Sequence, residues 1–275
     1  MSKEKFIDTI ISLLIFFVLI TAGELLSSCF LKAVSGMRDA RPDLYEVLRY
    51  TGQAFMLLPF IVYVFVFKGE RKHFRRMRVR TEGNTIKFLF LGLAAGTAMN
   101  LACIGSAALH GDLTFTAGNP GYALLLAVFA LAVQTVSEDL IFMIFLPGRL
   151  EENIGGVPAA IAGSLVFSLM HAGNLGFTLP AMLNLFLLAL FCMLFIWLIG
   201  SAWFVCGFHF AWNCTQTCLF GLPNSGCPSS VSILALQNSG YSLLYSREFG
   251  VEAGIVCTIV LAAACAVTIL MKHRI

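Results

Sequence analysis

The sequence has few charged residues: Asp, Glu, Lys and Arg together make up 12% of its 275 residues, whereas 59% are hydrophobic. With a mean hydropathy of +0.86, this composition excludes an ordinary soluble globular domain. The chain also lacks a long polar linker, a low-complexity tract and a repeat of fixed period. We therefore expect a single integral membrane domain over residues 1–275.

Long apolar stretches fill most of the chain. Because a membrane-spanning helix needs about 20 mostly apolar residues, they predict an all-α, polytopic transmembrane helical bundle of about eight spans. No small-residue cleavage site followed by a soluble domain comes after the first stretch, so we expect an uncleaved first span. The expected spans cover residues 6–31, 47–67, 86–109, 121–147, 157–173, 178–199, 201–222 and 252–271.

A basic loop at residues 68–80 sets the expected orientation, because short loops rich in Lys and Arg stay in the cytoplasm. With an even number of spans, the N and C termini are then both cytoplasmic. Lys3 and Lys5 at one end and the basic residues 272–274 at the other agree with this. The loops expected on the outer side are those near 36–46, 110–120 and 223–251.

The same basic loop has a second interpretation, in which it also binds anionic lipid headgroups. No nucleic-acid partner is implied, and the expected surroundings are a lipid bilayer. Because the chain is compact and lacks eukaryotic sorting motifs, a bacterial plasma membrane is the favoured location.

Cysteine pairs of the C-x-x-C type are absent, although the chain has nine cysteines. Thiols within or beside spans usually pack as small apolar residues. Cys227 lies in an outer loop, where a disulfide with Cys214 or Cys218 stays an open alternative. The cysteines expected to pack are Cys29, Cys103, Cys192, Cys206, Cys257 and Cys265.

Gly92 and Gly96 form a G-x-x-x-G pattern in the third expected span. Small residues four apart lie on one face of a helix and let a second backbone approach closely. We therefore expect another helix to pack tightly against this face.

Ionisable residues are rare inside the expected spans, since each costs on the order of 3 kcal/mol or more at the centre of a bilayer. Glu138 and Asp139 nevertheless stand side by side in the fourth span. They lie about 16 Å of helix from Arg149 at 1.5 Å per residue, too far for simple snorkelling to the interface. Two such acids demand a partner or a chemical task.

Two histidines lie within expected spans. His171 occurs in FSLMHAGN, with Phe167 one helical turn before it and Asn174 one turn after it, so we expect the three to share a face. His209 occurs in GFHFAWNCTQ, four residues before Asn213, which shares its face in the same way. Three helices therefore offer polar groups that can converge on one buried point.

The chemistry of these groups is complementary. A desolvated carboxylate such as Glu138 can serve as a general base, and a nearby histidine can share or relay its proton. A second histidine and a neutral amide offer hydrogen-bond donors to a developing oxyanion. A single buried His or Asn is more often a bond between two helices, but the combination predicts a hydrolytic site with no cofactor.

Three sequence motifs carry a resemblance to a known family. SEDLIFM, FSLMHAGN and FHFAWN are similar to the E-E-x-x-x-R, F-x-x-x-H and H-x-x-x-N motifs of the CPBP family, the CAAX proteases and bacteriocin-processing enzymes, also called the Abi family. The resemblance covers residues 136–216, the predicted catalytic core, in the family's order and approximate spacing. It implies an all-helical fold with a cavity inside the membrane and the activity of an intramembrane glutamic endopeptidase.

The resemblance also implies a role for each motif residue. Glu138 and His171 would activate a water for attack on a peptide bond, and His209 and Asn213 would stabilise the tetrahedral oxyanion. Family members cleave prenylated tails, leader peptides or other membrane-associated substrates, so the implied partner is a membrane-associated peptide or protein. The implied supporting residues are Asp139, Phe167 and Asn174.

The first motif departs from the family pattern at two coupled positions. Its second Glu is Asp139 and its Arg is Met143, so the ion pair expected between positions i and i+4 is missing. Asp139 then needs another donor, a proton of its own or an aqueous cavity. The alternative function is therefore a catalytically inactive relative that acts in bacteriocin immunity or binds a partner protein.

Two further alternatives come from the same residues. Zinc on Glu138, His171 and His209 is one, although the usual H-E-x-x-H spacing is absent. A proton relay in a transporter, through Glu138 and Asp139, is the other, although matching broken helices in two halves of the chain are absent. The substrate, the cleaved bond and the oligomeric state stay open.

Overall fold

The structure, a computed structural model, describes residues 2–72, 85–118 and 120–272. The helices are α1 (Lys3–Ala33), α2 (Met37–Ala40), α3 (Pro42–Ala54), α4 (Leu57–Val66), α5 (Thr85–His110), α6 (Gly121–Glu138), α7 (Leu146–Ile154), α8 (Gly156–Met170), α9 (Leu179–Leu198), α10 (Ala202–Cys214) and α11 (Ile255–Lys272). The strands are β1 (Leu113–Ala117) and β2 (Leu234–Ser239). Segments of π-helix cover Asp139–Phe145 and Thr215–Leu219, and 3-10 turns cover Lys68–Glu70 and Val251–Ala253.

Helices dominate the described chain, which confirms the predicted all-α helical bundle. α8 and α11 are shorter apolar helices, and α10 with the π-helical segment after it fills the remaining expected stretch. Every expected span thus coincides with a helix, whereas a count of eight membrane crossings is not confirmed. Among the described residues, the stretches long and apolar enough to cross a membrane are Lys3–Ala33, Pro42–Val66, Thr85–His110, Gly121–Ile154 and Leu179–Leu198.

The loops that join the helices form a small sheet that the apolar pattern did not predict. β1 and β2 pair antiparallel, with Leu113 opposite Ser239. These strands belong to the loops near 110–120 and 223–251, so two loops expected on one side of the membrane do lie together.

A buried carboxylate connects the beginning of α3 to the same loops. Glu46 Oε2 accepts hydrogen bonds from Ser230 N (2.5 Å) and Ser230 Oγ (2.6 Å), and its Oε1 accepts one from the Tyr50 hydroxyl (3.0 Å). Because both carboxylate oxygens are bonded, this buried acid is well compensated. The third loop expected on the outer side, near 36–46, therefore joins the other two.

Two ion pairs join the segment that follows α4 to α7. Arg149 pairs with Glu70, and Lys72 Nζ lies 3.0 Å from Glu152 Oε2. The start of the basic loop therefore lies near the end of α7. Residues 73–80 of the predicted basic loop and residues 273–274 of the predicted basic tail lie outside the described residues.

α5 and α10 pack backbone against backbone, as the G-x-x-x-G pattern predicts. A Cβ atom added to Gly92 would collide with the carbonyl oxygen of Phe204, and one added to Gly96 would collide with that of Phe208. Only glycine permits this approach. The contact fixes the position of α10, which carries His209 next to Phe208.

A tight turn starts α10 beside α9. Gly200 adopts φ +88°, a conformation that favours glycine, and the Ser201 hydroxyl caps α10 by accepting a hydrogen bond from Phe204 N (3.3 Å). The rings of Phe195 on α9 and Phe204 on α10 stack with centroids 3.8 Å apart. α9 therefore supports the helix that carries the second buried histidine.

All nine cysteines are free in the structure. The disulfide considered between Cys227 and either Cys214 or Cys218 is therefore not formed. The prediction that the other thiols are packed is wrong for Cys29, which is exposed on α1, and Cys206 is half-buried. The fully buried ones in that group are Cys103, Cys192, Cys257 and Cys265.

Candidate active site

A cavity of about 50 Å³ lies among α3, α6, α8, α9, α10 and the loop 223–227. Glu138, His171, His209 and Asn213 all line it. Since about 10–15 Å³ of such space holds one water and a buried water needs polar partners, the cavity has room for water beside these groups. The structure thus brings the four residues that the motifs single out around one polar cavity.

Glu138 is the last residue of α6, and its buried carboxylate has two neighbours. Gln134, one turn earlier on the same helix, donates a hydrogen bond from Nε2 to Oε1 of Glu138. Nε2 of His209 lies 4.0 Å from the other oxygen, Oε2. The carboxylate is therefore held through one oxygen and faces an imidazole with the second.

His209 is the donor that Asp139 was predicted to need. Its Nδ1 lies 2.9 Å from Asp139 Oδ1, and both side chains are buried. Because an ionised carboxylate only accepts hydrogen bonds, Nδ1 carries the hydrogen. Met143, which stands where the family motif has Arg, is 2% exposed in the apolar core. A bond to α10 thus supplies one oxygen of Asp139 with the donor that the first motif lacks.

Both helices that bring Asp139 and His209 together continue as π-helix, α6 into Asp139–Phe145 and α10 into Thr215–Leu219. Segments of π-helix are rare and frequently occur at functional sites. Asp139 and Met143 both lie in the first of these segments, so the first motif is not built on a regular α-helix.

His171 lies at the C-terminal end of α8. Its Nδ1 lies 2.9 Å from the carbonyl oxygen of Phe167, and since a carbonyl only accepts, Nδ1 carries the hydrogen. In the neutral ring, Nε2 is then a free acceptor. The Phe167 ring lies 4.8 Å from the His171 ring and 6.2 Å from the His209 ring, measured between centroids. Phe167 therefore packs against both imidazoles.

Asn213 lies one helical turn after His209 and also lines the cavity. Its Nδ2 is 3.4 Å from the Thr135 hydroxyl oxygen, a long hydrogen bond that uses one of the two amide hydrogens. The second amide hydrogen is available to an acceptor in the cavity.

Asn174 does not share a helix face with His171, because α8 ends at Met170. The chain turns after this point, and Gly176 adopts φ +74°. Asn174 still lines the cavity, and its Nδ2 donates a hydrogen bond to the carbonyl oxygen of Ser225 (2.6 Å). Its contact is therefore with the loop 223–227 and not with the imidazoles.

Glu252 is a buried acid of the cavity that the motifs did not predict. Its Oε1 accepts a hydrogen bond from Trp212 Nε1 (3.0 Å), and its Oε2 accepts two from Ser225, from N (2.6 Å) and Oγ (2.9 Å). Ser225 has φ +48°, which is rare for a residue other than glycine. Together with the Asn174 bond, these contacts hold Ser225 in that strained conformation.

Gln134 and Arg49 are further lining residues that the motifs did not predict. Gln134 could have been found, because it lies four residues before Glu138 on one helix. Glu252 and Arg49 stand near the ends of apolar stretches, where charged residues are common, so no local pattern singles them out.

The described residues contain no group of three His, Cys, Asp or Glu side chains placed to hold a metal ion. Glu138, His171 and His209 line one cavity, but Nδ1 of His209 is bonded to Asp139 and its Nε2 is 4.0 Å from Glu138. Tetrahedral zinc with bonds of about 2 Å holds two ligand atoms about 3.3 Å apart, which is closer than these two atoms lie. The zinc alternative therefore gains no support from the arrangement.

Residues 120–215, about a third of the chain, match a family model described as type II CAAX prenyl endopeptidase Rce1-like. No curated protein matches the chain. The matched segment begins at α6 and includes all three motifs. The resemblance found from the motifs is thus confirmed for this segment, and at the level of the family it supports a CAAX-type membrane protease.

Proposed function

Because residues 120–215 match the Rce1-like endopeptidases, we propose that this chain is an intramembrane endopeptidase that cleaves a membrane-associated peptide or protein. Glu138 and His171 activate a water molecule, and His209 and Asn213 stabilise the oxyanion. The observation that carries the proposal is the position of these four side chains around one polar cavity.

The reaction begins with a water held beside Glu138. The carboxylate takes a proton from this water while the oxygen attacks the carbonyl carbon of the peptide bond. His171 presents an acceptor nitrogen to the cavity, because its Nδ1 donates to Phe167. The histidine relays the proton to the amide nitrogen, the C–N bond breaks, and the products are a new carboxyl group and a new amine.

The intermediate carries a negative charge on the former carbonyl oxygen. His209 lies between the carboxylates of Asp139 and Glu138, and as an imidazolium it donates from both ring nitrogens. Its Nε2–H and the amide of Asn213 then donate to the oxyanion. Donors that are fixed before the reaction, in a site with little water, are worth most for a charge that develops in the transition state.

The experiment uses the purified full-length chain in liposomes, with a library of membrane-associated peptides and water enriched in oxygen-18. Mass spectrometry is expected to find a peptide cut at one bond, with the heavy oxygen in the new carboxyl group. A protein that binds peptides and cuts none of them supports the inactive, partner-binding alternative. A comparison of membrane peptides from cells with the wild type and with Glu138→Gln then identifies the natural substrate.

A further inference from the structure

Arg49 forms part of the cavity wall on α3, outside the segment that matches the family. It lines the same cavity as Glu138 and His171, and among the lining residues that the structure describes it is the only Lys or Arg. Its guanidinium lies over the Tyr50 ring, 4.6 Å from the centroid. This stacking gives the cation a defined orientation.

No carboxylate of the described chain lies within ion-pair distance of Arg49. Glu46, three residues earlier, is already bonded to Tyr50 and Ser230. Nη2 of Arg49 donates one long hydrogen bond to Pro228 O (3.3 Å), and the guanidinium also contacts the side chains of Tyr50 and Cys227. A guanidinium has five N–H donors, so Arg49 keeps donors for an anion from outside the protein.

Apart from His209, the other charged side chains around the cavity are acids. Glu138 and Glu252 line it, and Asp139 lies next to it through His209. These acids repel a negatively charged group, whereas Arg49 attracts one. An anionic group of a ligand is therefore favoured at the α3 wall and disfavoured beside Glu138.

We propose that Arg49 is a specificity-determining residue that binds a carboxylate of the peptide substrate. The inference rests on the proposed function, with the peptide bond beside Glu138 and His171 and the carboxylate at the α3 wall. Arginine suits this task, because its planar fork matches the two oxygens of a carboxylate. The carboxylate comes either from the C-terminal end of the substrate or from an Asp or Glu side chain near the cleaved bond.

The test uses the full-length protein in liposomes and a peptide that the wild type cleaves, in three forms. The first has a free C-terminal carboxylate, the second has a C-terminal amide, and the third has each Asp or Glu near the cleaved bond replaced by its amide. We expect kcat/KM to fall about tenfold or more in the form that lacks the recognised carboxylate, mainly through KM. The form that falls identifies the source of the carboxylate.

Variants of Arg49 test whether this side chain recognises the carboxylate. In Arg49→Gln the ratio of kcat/KM between the acidic and neutral peptides is expected to approach one. In Arg49→Lys this ratio is expected to lie between one and the ratio of the wild type. Arg41→Gln is the matched control, because Arg41 is an exposed arginine paired with Asp43 and Tyr122 outside the cavity. Its ratio is expected to equal that of the wild type.

Equal kcat/KM for all three peptides in the wild type, or an unchanged ratio in a folded Arg49→Gln protein, overturns the inference and leaves the proposed function standing. Fluorescence anisotropy with the Glu138→Gln protein measures peptide binding without cleavage. A preference for acidic peptides that depends on Arg49, in a chain whose wild type cuts nothing, supports the carboxylate site and contradicts the proposed function.

Discussion

His209 Nδ1 lies 2.9 Å from Asp139 Oδ1, so a histidine of the third motif holds an acid of the first. The same ring places Nε2 4.0 Å from Glu138 Oε2. Two motifs that are 70 residues apart in the chain therefore form one bonded unit at the cavity. The unit compensates for the Arg that the first motif lacks, and its importance can be measured directly.

Asp139→Asn keeps the shape of the side chain and removes its charge. An amide can donate to Nδ1 of His209 and favour the wrong tautomer, so kcat for a cleaved peptide is expected to fall at least about tenfold, with little change in KM. Asp139→Glu keeps an acceptor and serves as the comparison. An Asp139→Asn enzyme with the kcat of the wild type contradicts the role given to this bond.

Met143→Arg restores the residue of the family motif, yet we expect it to destabilise this protein. Met143 is buried among apolar side chains, and Asp139 already bonds to His209. A buried charge without a good partner costs about 3–5 kcal/mol, so the melting temperature in detergent is expected to fall by several degrees. Met143→Leu, of similar volume, is the control. A higher melting temperature for Met143→Arg than for the wild type disproves this prediction.

Gly96→Ala tests the close contact between α5 and α10. The new methyl group meets the carbonyl oxygen of Phe208, so α10 must shift, at a cost of about 1–3 kcal/mol in the free energy of unfolding. Gly105→Ala on the same helix is the matched control, because a Cβ there meets no atom within 4 Å. Thermal unfolding in detergent should separate the two variants, and equal losses of stability would show that the tight contact is absent.

Glu252→Ala removes the acceptor that holds Ser225, so the loop 223–227 should open more often. Cys227 in this loop reports the change, because burial raises the pKa of its thiol and keeps it slow to react at neutral pH. Mass spectrometry of maleimide labelling is expected to show faster labelling of Cys227 in Glu252→Ala. The exposed Cys29 is the internal control and should react equally in both proteins. Equal labelling of Cys227 in both proteins refutes this role of Glu252.

The sequence was enough to predict that Asn213 lies on the same face as His209, because the two residues are four apart on one helix. It could not predict the bond between His209 and Asp139. That bond depends on the register of α10 against α6, and the π-helical segments after Glu138 and Cys214 leave no mark in a pattern read with 3.6 residues per turn.

Contacts between distant loops could not be predicted from the sequence either. The pairing of β1 with β2 and the bonds from Ser225 to Glu252 join segments that no local periodicity connects. Arg49 likewise has meaning only once α3 is seen to form a wall of the cavity. Close packing was predictable at Gly92 and Gly96, because small residues four apart on one helix face let a second backbone approach closely.

The most direct measurement of the central claim is the kcat of Glu138→Gln on a peptide that the wild type cleaves. The change removes the base and keeps the shape, so kcat is expected to fall by about 10²–10⁴-fold while the peptide still binds. Glu24→Gln, at an exposed acid of α1 away from the cavity, is the matched control and should cleave like the wild type. Full activity of purified Glu138→Gln would contradict the account.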